Sequence, residues 1–242
     1  MKGVILAGGL GTRLEPLTKV TNKHLLPVYH KPMIYYPIET LIDAGVRKIL
    51  IVTGGNNAGD FLKLLGNGEE FGINDIQYAY QEGEGGIADA LRLAEHFVDS
   101  DKFVVILGDN VLDHSIKPYV EKFRKQKAGA RILIKQVPDP KRFGVVTLKG
   151  DKIVAITEKP KRPASDYIVT GIYMYDASVF DFIRKLKPSK RGELEITDVN
   201  NMYLKRNQLY YDALKGHWTD CGTFNSLYRA NRIIAEKNFK NL

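Results

Sequence analysis

Residues 2–14 read K-G-V-I-L-A-G-G-L-G-T-R-L, and this stretch decides the fold. Val4-Ile5-Leu6-Ala7 is a short apolar run with the length and composition of a buried strand. Immediately after it Gly8, Gly9 and Gly11 open the backbone, followed by Thr12 and Arg13. Glycine has no Cβ, so consecutive amides can approach an anion and form a nest around it. Arg13 adds a planar charge that suits phosphate. A strand that runs directly into such a loop is a seat for a triphosphate. Two better-known phosphate motifs do not match. Leu14 stands where a dinucleotide fingerprint has its third glycine, and the loop lacks the Gly-Lys-Ser/Thr of a P-loop. A plain strand-to-loop turn without ligand is the alternative.

Outward from this stretch, strands and helices alternate. Lys23 lies about ten residues beyond the glycines, within reach of the same phosphates; a solvated surface lysine is the alternative. Residues 33–44 read as a helix ended by Gly45, with Pro37 predicting a kink or a late start. Lys48 to Val52 is a continuous apolar run, hence a strand buried on both faces, which favours a parallel sheet. A short helix over 60–65, a strand over 76–80 and a helix over about 87–98 follow. Gln81 falls at a strand end before Gly83, Gly85 and Gly86. Its amide both donates and accepts, so it can read a pyrimidine edge; an ordinary helix-entry loop is the alternative. Phe103 to Leu107 is the cleanest central strand and ends in Gly108-Asp109-Asn110. Ligands of open α/β sheets lie beyond the carboxyl ends of the strands, so Asp109 is a candidate ligand for magnesium. Its competing reading is an Asx turn that caps the next helix.

The pattern changes near residue 110. A helix over 116–127 precedes strands at 131–136, 143–148, 152–157 and 168–175. The chain thus reads as one α/β domain with a Rossmann-like, mainly parallel sheet flanked by helices and a β-rich lobe. The nucleotide-binding lobe covers about 1–110, the second lobe about 111–220 and a C-terminal helix 222–240. Gly144 and Gly171 sit inside strands, which suggests close approach of a ligand or of backbone. Glu158 and Lys159 end a strand side by side, able to hold sugar hydroxyls and a phosphate; an exposed charge pair is the alternative. Glu195 and Asp198 lie where a helix begins, and capping is a sufficient structural account of them. Asp220 can cap the last helix, over about 224–236, or be a second metal ligand.

The chain has 242 residues, 44% of them apolar, and a net charge of +8 with both signs interleaved. That balance suits anionic small molecules as well as nucleic acid, but no basic stripe with stacking aromatics is present. The single cysteine, Cys221, permits no internal disulfide and reads as a small buried residue. No apolar run approaches a membrane span, and Met1 leads straight into a strand, so a cytoplasmic protein without a leader is expected.

Taken together, G-G-L-G-T-R-L, N-K-H-L-L-P, Q-x-x-x-G-G-I-A, L-G-D-N, F-G-V, E-K-P, T-G-I-Y, G-E-L-E-I-T-D and W-x-D-x-G-T occur in this order across nearly the whole chain. The chain resembles the sugar-1-phosphate nucleotidyltransferases, most closely their glucose-1-phosphate thymidylyltransferase branch. The resemblance implies a Mg²⁺-dependent reaction of dTTP with glucose 1-phosphate to give dTDP-glucose and pyrophosphate. UTP- or CTP-using relatives, or a non-catalytic nucleotide-sugar binder, are the alternatives. Position by position, it implies that Leu6, Gly8, Gly9, Gly11, Thr12, Arg13, Lys23, Gln81, Gly86 and Asp109 hold the nucleotide. Asn110, Gly144, Glu158, Lys159, Val169, Gly171 and Arg191 would line the sugar-phosphate side. Asp109 and Asp220 would bind the metal, and Arg13, Lys23, Asp109, Lys159 and Asp220 would carry catalysis. A cytoplasmic homo-oligomer acting on small molecules, with no nucleic-acid or membrane partner, is expected. Two departures stand out. The extra C-terminal helical sequence of effector-controlled members is not in these residues, and E-G-E-G-G follows Gln81 where many relatives carry proline.

Overall fold

The computed structural model describes residues 1–55 and 57–239. Strand β1 (Lys2–Ala7) is buried from Gly3 onward. Side chains alternate across a strand, so Val4 and Leu6 enter one apolar cluster while Ile5 and Ala7 enter another on the opposite face of the sheet. A small hairpin of β2 (Pro27–Val28) and β3 (Lys31–Pro32) precedes helix α1 (Tyr35–Asp43). Pro37 is the third residue of α1, in the first turn, where a missing N–H costs no hydrogen bond. The late start expected from Pro37 is thus what occurs.

Next come β4 (Ile49–Gly54), α2 (Ala58–Leu65), β5 (Ile76–Gln81), α3 (Ile87–Arg92), α4 (Glu95–Val98) and β6 (Phe103–Leu107). The single helix expected over 87–98 is therefore two. Leu93 N and Ala94 N bond to carbonyls three residues back, Ala90 O and Leu91 O, and this tightening breaks the run. Strands β5, β4, β1 and β6 lie side by side and parallel, with Gly3 opposite both Ile49 and Val104. The chain moves from β1 to one side through β4 and β5, then returns to the other side at β6. That reversal creates a crevice beyond the carboxyl ends of β1 and β6. The Gly8 loop and Gly108-Asp109 both emerge there, and Gly108 N donates to Leu6 O at 2.9 Å.

The remaining elements are β7 (Asn110–Leu112), α5 (Lys117–Lys125), β8 (Ala130–Gln136), β9 (Gly144–Lys149), β10 (Lys152–Glu158), β11 (Tyr167–Tyr175), α6 (Val179–Ile183), α7 (Ile196–Lys205), β12 (Leu209–Ala213), β13 (Trp218–Asp220) and α8 (Phe224–Phe239). Strand β11 runs antiparallel to β6, so the β-rich half continues the same sheet, with β8 and β12 branching from it. The sheet is mixed, parallel in its nucleotide-side half. Strands β7 and β13 carry no periodic signal and escape sequence reading. They pair antiparallel, outside the main sheet, with Asp220 opposite Asn110. Under α8 a third cluster buries Leu14, Val28, Val111, Ile234 and Cys221, so Cys221 is the small core residue expected. No helix among the described residues is long and apolar enough to cross a membrane.

Candidate active site

Two adjoining cavities open at the crevice. The first, about 310 Å³, is lined by Leu6, Gly8, Gly9, Arg13, Lys23, Gln81, Gly86 and Asp109 among the residues expected from sequence. The second, about 160 Å³, is lined by Asn110, Gly144, Glu158, Val169, Gly171 and Asp220. Arg13, Asp109 and Lys159 line both and so mark the junction. Gly11 and Thr12 line neither cavity. Gly11 sits at φ 68° and precedes the 3-10 turn Thr12–Leu14. Thr18 Oγ1 donates to Gly11 O at 3.0 Å. These residues shape the turn that delivers Arg13, whose guanidinium lies against Gly222.

Gln81 is held by two hydrogen bonds in the first cavity. Its Nε2 donates to Gly86 O at 3.2 Å and to Asp89 Oδ2 at 2.8 Å. Both partners accept only, so the amide orientation is fixed, both donors are spent and Oε1 faces Gly8 as an acceptor. Gly86 holds φ 93° with no room for a Cβ, which would lie 2.8 Å from Leu194 O. Ile87, Ala90 and Leu107 complete an apolar wall that sequence reading missed.

Asp109 is nearly enclosed and meets Lys23, whose Nζ lies 2.6 Å from Oδ2. Asn110 Nδ2 donates to the other oxygen at 3.0 Å. Burial alone would raise the carboxyl's pKa. The Lys23 charge and the hydrogen bonds from Lys23 and Asn110 outweigh burial and hold it well below the carboxylate range. His24, adjacent to Lys23, lines the same cavity and was not singled out in the sequence. Its Nδ1 lies 2.8 Å from Asn22 Oδ1, an acceptor, so Nδ1 carries the proton of the neutral ring. Burial, helped by the Lys23 charge, lowers its pKa to about 3.

Asp220 reaches the junction through the β7–β13 ladder. Cys221 N donates to Asp109 O at 2.9 Å, which extends that ladder and fixes the two acidic residues side by side in the backbone. Arg142 Nη2 lies 2.5 Å from Asp220 Oδ2. Burial and the nearby Asp109 charge raise the Asp220 pKa, against the pull of Arg142. The Asp220 carboxylate accepts from Gly222 N at 3.3 Å, but α8 begins only at Phe224, so capping does not account for it. Nor does Asp109 cap a helix: a strand follows it, and Ser115 Oγ accepts from Lys117 N at 3.1 Å at the start of α5. Arg142 sits in a 3-10 turn before β9 and was missed because one arginine in a basic chain carries no local signal.

On the second side, Glu158 accepts from Thr197 Oγ1, and burial raises its pKa against the influence of Thr197 and Lys159. Lys159 holds φ 39°, a left-handed backbone that a non-glycine residue adopts only when its surroundings impose it. Its N–H donates to Phe143 O at 3.0 Å, which aims the side chain into the junction. Gly171 lines the cavity, yet its N–H is spent on Asn110 Oδ1 at 3.1 Å, and a Cβ would lie 2.6 Å from Asn110 Nδ2. Close packing of Asn110, more than a ligand contact, accounts for that glycine. Arg191 lines neither cavity. Its Nη1 lies 3.6 Å from Glu158 and 3.5 Å from Glu195. Glu195 stands at the N-cap position of α7 but bonds no helix amide. It accepts from Ser189 Oγ at 2.8 Å, so the capping account of Glu195 is corrected. Asp198 does lie in the first turn of α7.

Comparison with known proteins gives the family and the fold. The nucleotidyl transferase family profile matches residues 2–237. A glucose-1-phosphate thymidylyltransferase from Neisseria meningitidis is 45% identical over all of this chain and 85% of its own length. One from Mycolicibacterium smegmatis is 45% identical over 97% of this chain and 82% of its own. Among solved structures, a Bacillus anthracis protein described provisionally as a glucose-1-phosphate thymidylyltransferase, in complex with sucrose, superposes with a TM-score of 0.92. It is 55% identical and covers 96% of this chain and 94% of its own. A UDP-glucose pyrophosphorylase complexed with UDP-glucose gives a TM-score of 0.83 at 27% identity over 98% of each chain. The chain belongs to the nucleotidyl transferase family.

Proposed function

We propose that this enzyme transfers the thymidylyl group of dTTP to glucose 1-phosphate and releases pyrophosphate. The carrying observation is the pair of cavities joined at Arg13, Asp109 and Lys159. Two phosphorylated substrates can occupy them with their phosphates meeting at the junction. The relatives named thymidylyltransferases support the choice of substrates.

Gln81 supports the base assignment. With both its donors spent, it offers an acceptor, which matches the N3–H of thymine or uracil, whereas cytosine has an unprotonated N3 and only its N4 amino group to donate. This disfavours the CTP alternative. Thymine and uracil differ by one methyl, worth about 1–3 kcal/mol, so UTP serves as the slower substrate.

The nucleophile is a phosphate monoester, mostly dianionic at neutral pH because its second pKa is near 6. No general base is needed. The difficulty is to bring two polyanions together and to stabilise the charge that develops as pyrophosphate leaves. Arg13 and Lys23 face the triphosphate, and Lys159 faces the sugar phosphate across the junction. Asp109 and Asp220 fit a magnesium ion: both are partly buried carboxylates, hard oxygen donors close enough for the Asp109 charge to raise the Asp220 pKa. Among the described residues no three His, Cys, Asp or Glu side chains form a self-contained cation site, and magnesium commonly takes one or two carboxylates with substrate phosphates. Bound there, it would neutralise phosphate charge at the reacting phosphorus. Glu158, braced by Thr197, is placed to hold sugar hydroxyls, with Arg191 behind it. The same reading makes residues 1–242 one cytoplasmic nucleotidyltransferase domain that works as a homo-oligomer on small molecules. Exposed Val20, Phe224 and Tyr228 are apolar surface such an assembly could cover. Incubation with α-phosphorus-labelled dTTP and glucose 1-phosphate tests the assignment: label moves into a sugar nucleotide if it holds and stays in dTTP if it does not.

A further inference from the structure

Both carboxylates at the junction are paired with cations from the protein itself. Lys23 Nζ lies 2.6 Å from Asp109 Oδ2, and Arg142 Nη2 lies 2.5 Å from Asp220 Oδ2. On the anion side, Glu84 Oε1 accepts from Leu10 N, in the glycine loop, at 3.3 Å. The site is therefore neutralised from within. Arg142 also keeps unused capacity. Its Nε is buried with no partner, its guanidinium lies over Phe143 at 5.3 Å from the ring centre, and the side chain lines the second cavity.

We propose that Arg142 and Lys23 hold the places of a divalent cation, and that substrate binding exchanges them onto phosphate. Arg142 is then a positioning residue: it holds Asp220 until metal and phosphate arrive together. The inference rests on the reading of Asp109 and Asp220 as metal ligands. A divalent cation that enters alone would strip Asp220 from Arg142 and Asp109 from Lys23. Two partly buried cations would be left beside it with no acceptor, a costly arrangement. When phosphates enter with it, both displaced side chains gain acceptors. The planar fork of Arg142, with its free Nε and Nη groups, suits two oxygens of one phosphate. Metal and phosphorylated substrate therefore bind cooperatively, and the free enzyme has low metal affinity.

The test is Mn²⁺ binding, read by the electron paramagnetic resonance signal of the unbound ion, with no nucleotide present. Arg142→Met is expected to bind Mn²⁺ roughly tenfold to a hundredfold more tightly than the wild type, the worth of one released charge-assisted hydrogen bond. Arg142→Lys, which keeps the charge, is expected to stay as weak as the wild type. Arg142→Gln serves as a second neutral variant should the methionine chain fold poorly. If the neutral variants bind Mn²⁺ no more tightly than the wild type, or if Arg142→Lys binds as tightly as they do, the exchange is overturned. Asp220→Asn in the Arg142→Met background separates the two ideas. Loss of the gained affinity keeps Asp220 as the ligand, whereas retention overturns the metal reading itself.

Discussion

Asp220 and Asn110 face each other across the β7–β13 ladder, and through that pairing Asp220 comes to rest beside Asp109. Two acidic residues more than a hundred positions apart in the chain are thereby held on adjacent backbones at the carboxyl edge of the sheet. That backbone pairing, with Cys221 N donating to Asp109 O, sets the geometry at the junction of the two cavities.

Replacing Asp220 tests this arrangement. Asp220→Asn keeps the shape and removes the charge. Activity is expected to fall by roughly 10²–10³-fold, the range seen when one preorganised electrostatic partner is lost. The amide oxygen of the variant can still accept from Arg142 Nη2, the present partner of Asp220 Oδ2, so the thermal midpoint should hold. Steady-state kinetics beside a melting curve checks both. Mg²⁺-dependent turnover at the wild-type rate would remove Asp220 from the mechanism.

Asn110 is the hinge pin of the same edge. Its Oδ1 accepts from Trp218 Nε1 at 2.7 Å and from Gly171 N at 3.1 Å, and the side chain is buried. Asn110→Leu leaves those two buried donors unpaired, at about 1–3 kcal/mol each. Urea unfolding is expected to show a loss of that order, with reduced activity because Asp109 also loses a donor. An unchanged midpoint would mean that water replaces the amide.

Gln81 should govern affinity for the base and not discrimination of the methyl. Gln81→Leu is expected to raise KM for dTTP and for UTP by a similar factor, roughly tenfold, since each loses one hydrogen bond. The dTTP-to-UTP ratio should stay near its wild-type value. A selective effect on dTTP would place the thymine methyl, and not N3–H, against residue 81.

His24 gives a pH signature in stability. Its ring has a pKa of about 3 in the fold against an ordinary value of 6.5. Below 6.5 the unfolded chain takes up a proton that the native state refuses. The stability His24 contributes is thus intact above pH 6.5 and is lost as pH falls toward 3. His24→Asn, which can retain a donor to Asn22, should have a flatter profile of urea midpoint between pH 6.5 and 4. Parallel profiles for variant and wild type would show that the fold does not lower the His24 pKa.

Much of this was legible in the sequence because the signals are local. The apolar runs Val4–Ala7, Lys48–Val52 and Phe103–Leu107 read as strands covered on both faces, and the glycines after Ala7 and after Gln81 lie where β1 and β5 end at the first cavity. Most expected site residues line the two cavities. What stayed hidden is non-local. Strands β7 and β13 are three residues each, too short for a period, and each exists because of the other. Arg142 acquires meaning only when the fold brings it to Asp220. Gly171 looked like a ligand contact, and its place is explained by the Asn110 side chain that fills the space. Helix 87–98 looked continuous because its apolar spacing is sound. The break comes from backbone tightening at Leu93 and Ala94, which composition does not encode.

Pyrophosphate release with Mg²⁺ and glucose 1-phosphate, measured in parallel for dTTP, UTP, CTP, GTP and ATP, tests the central claim most directly. The account predicts that dTTP leads, UTP follows within roughly 10- to 200-fold, the range one methyl supports, and CTP lags both. Release led by CTP or a purine nucleotide, or no release with any of the five, would contradict it.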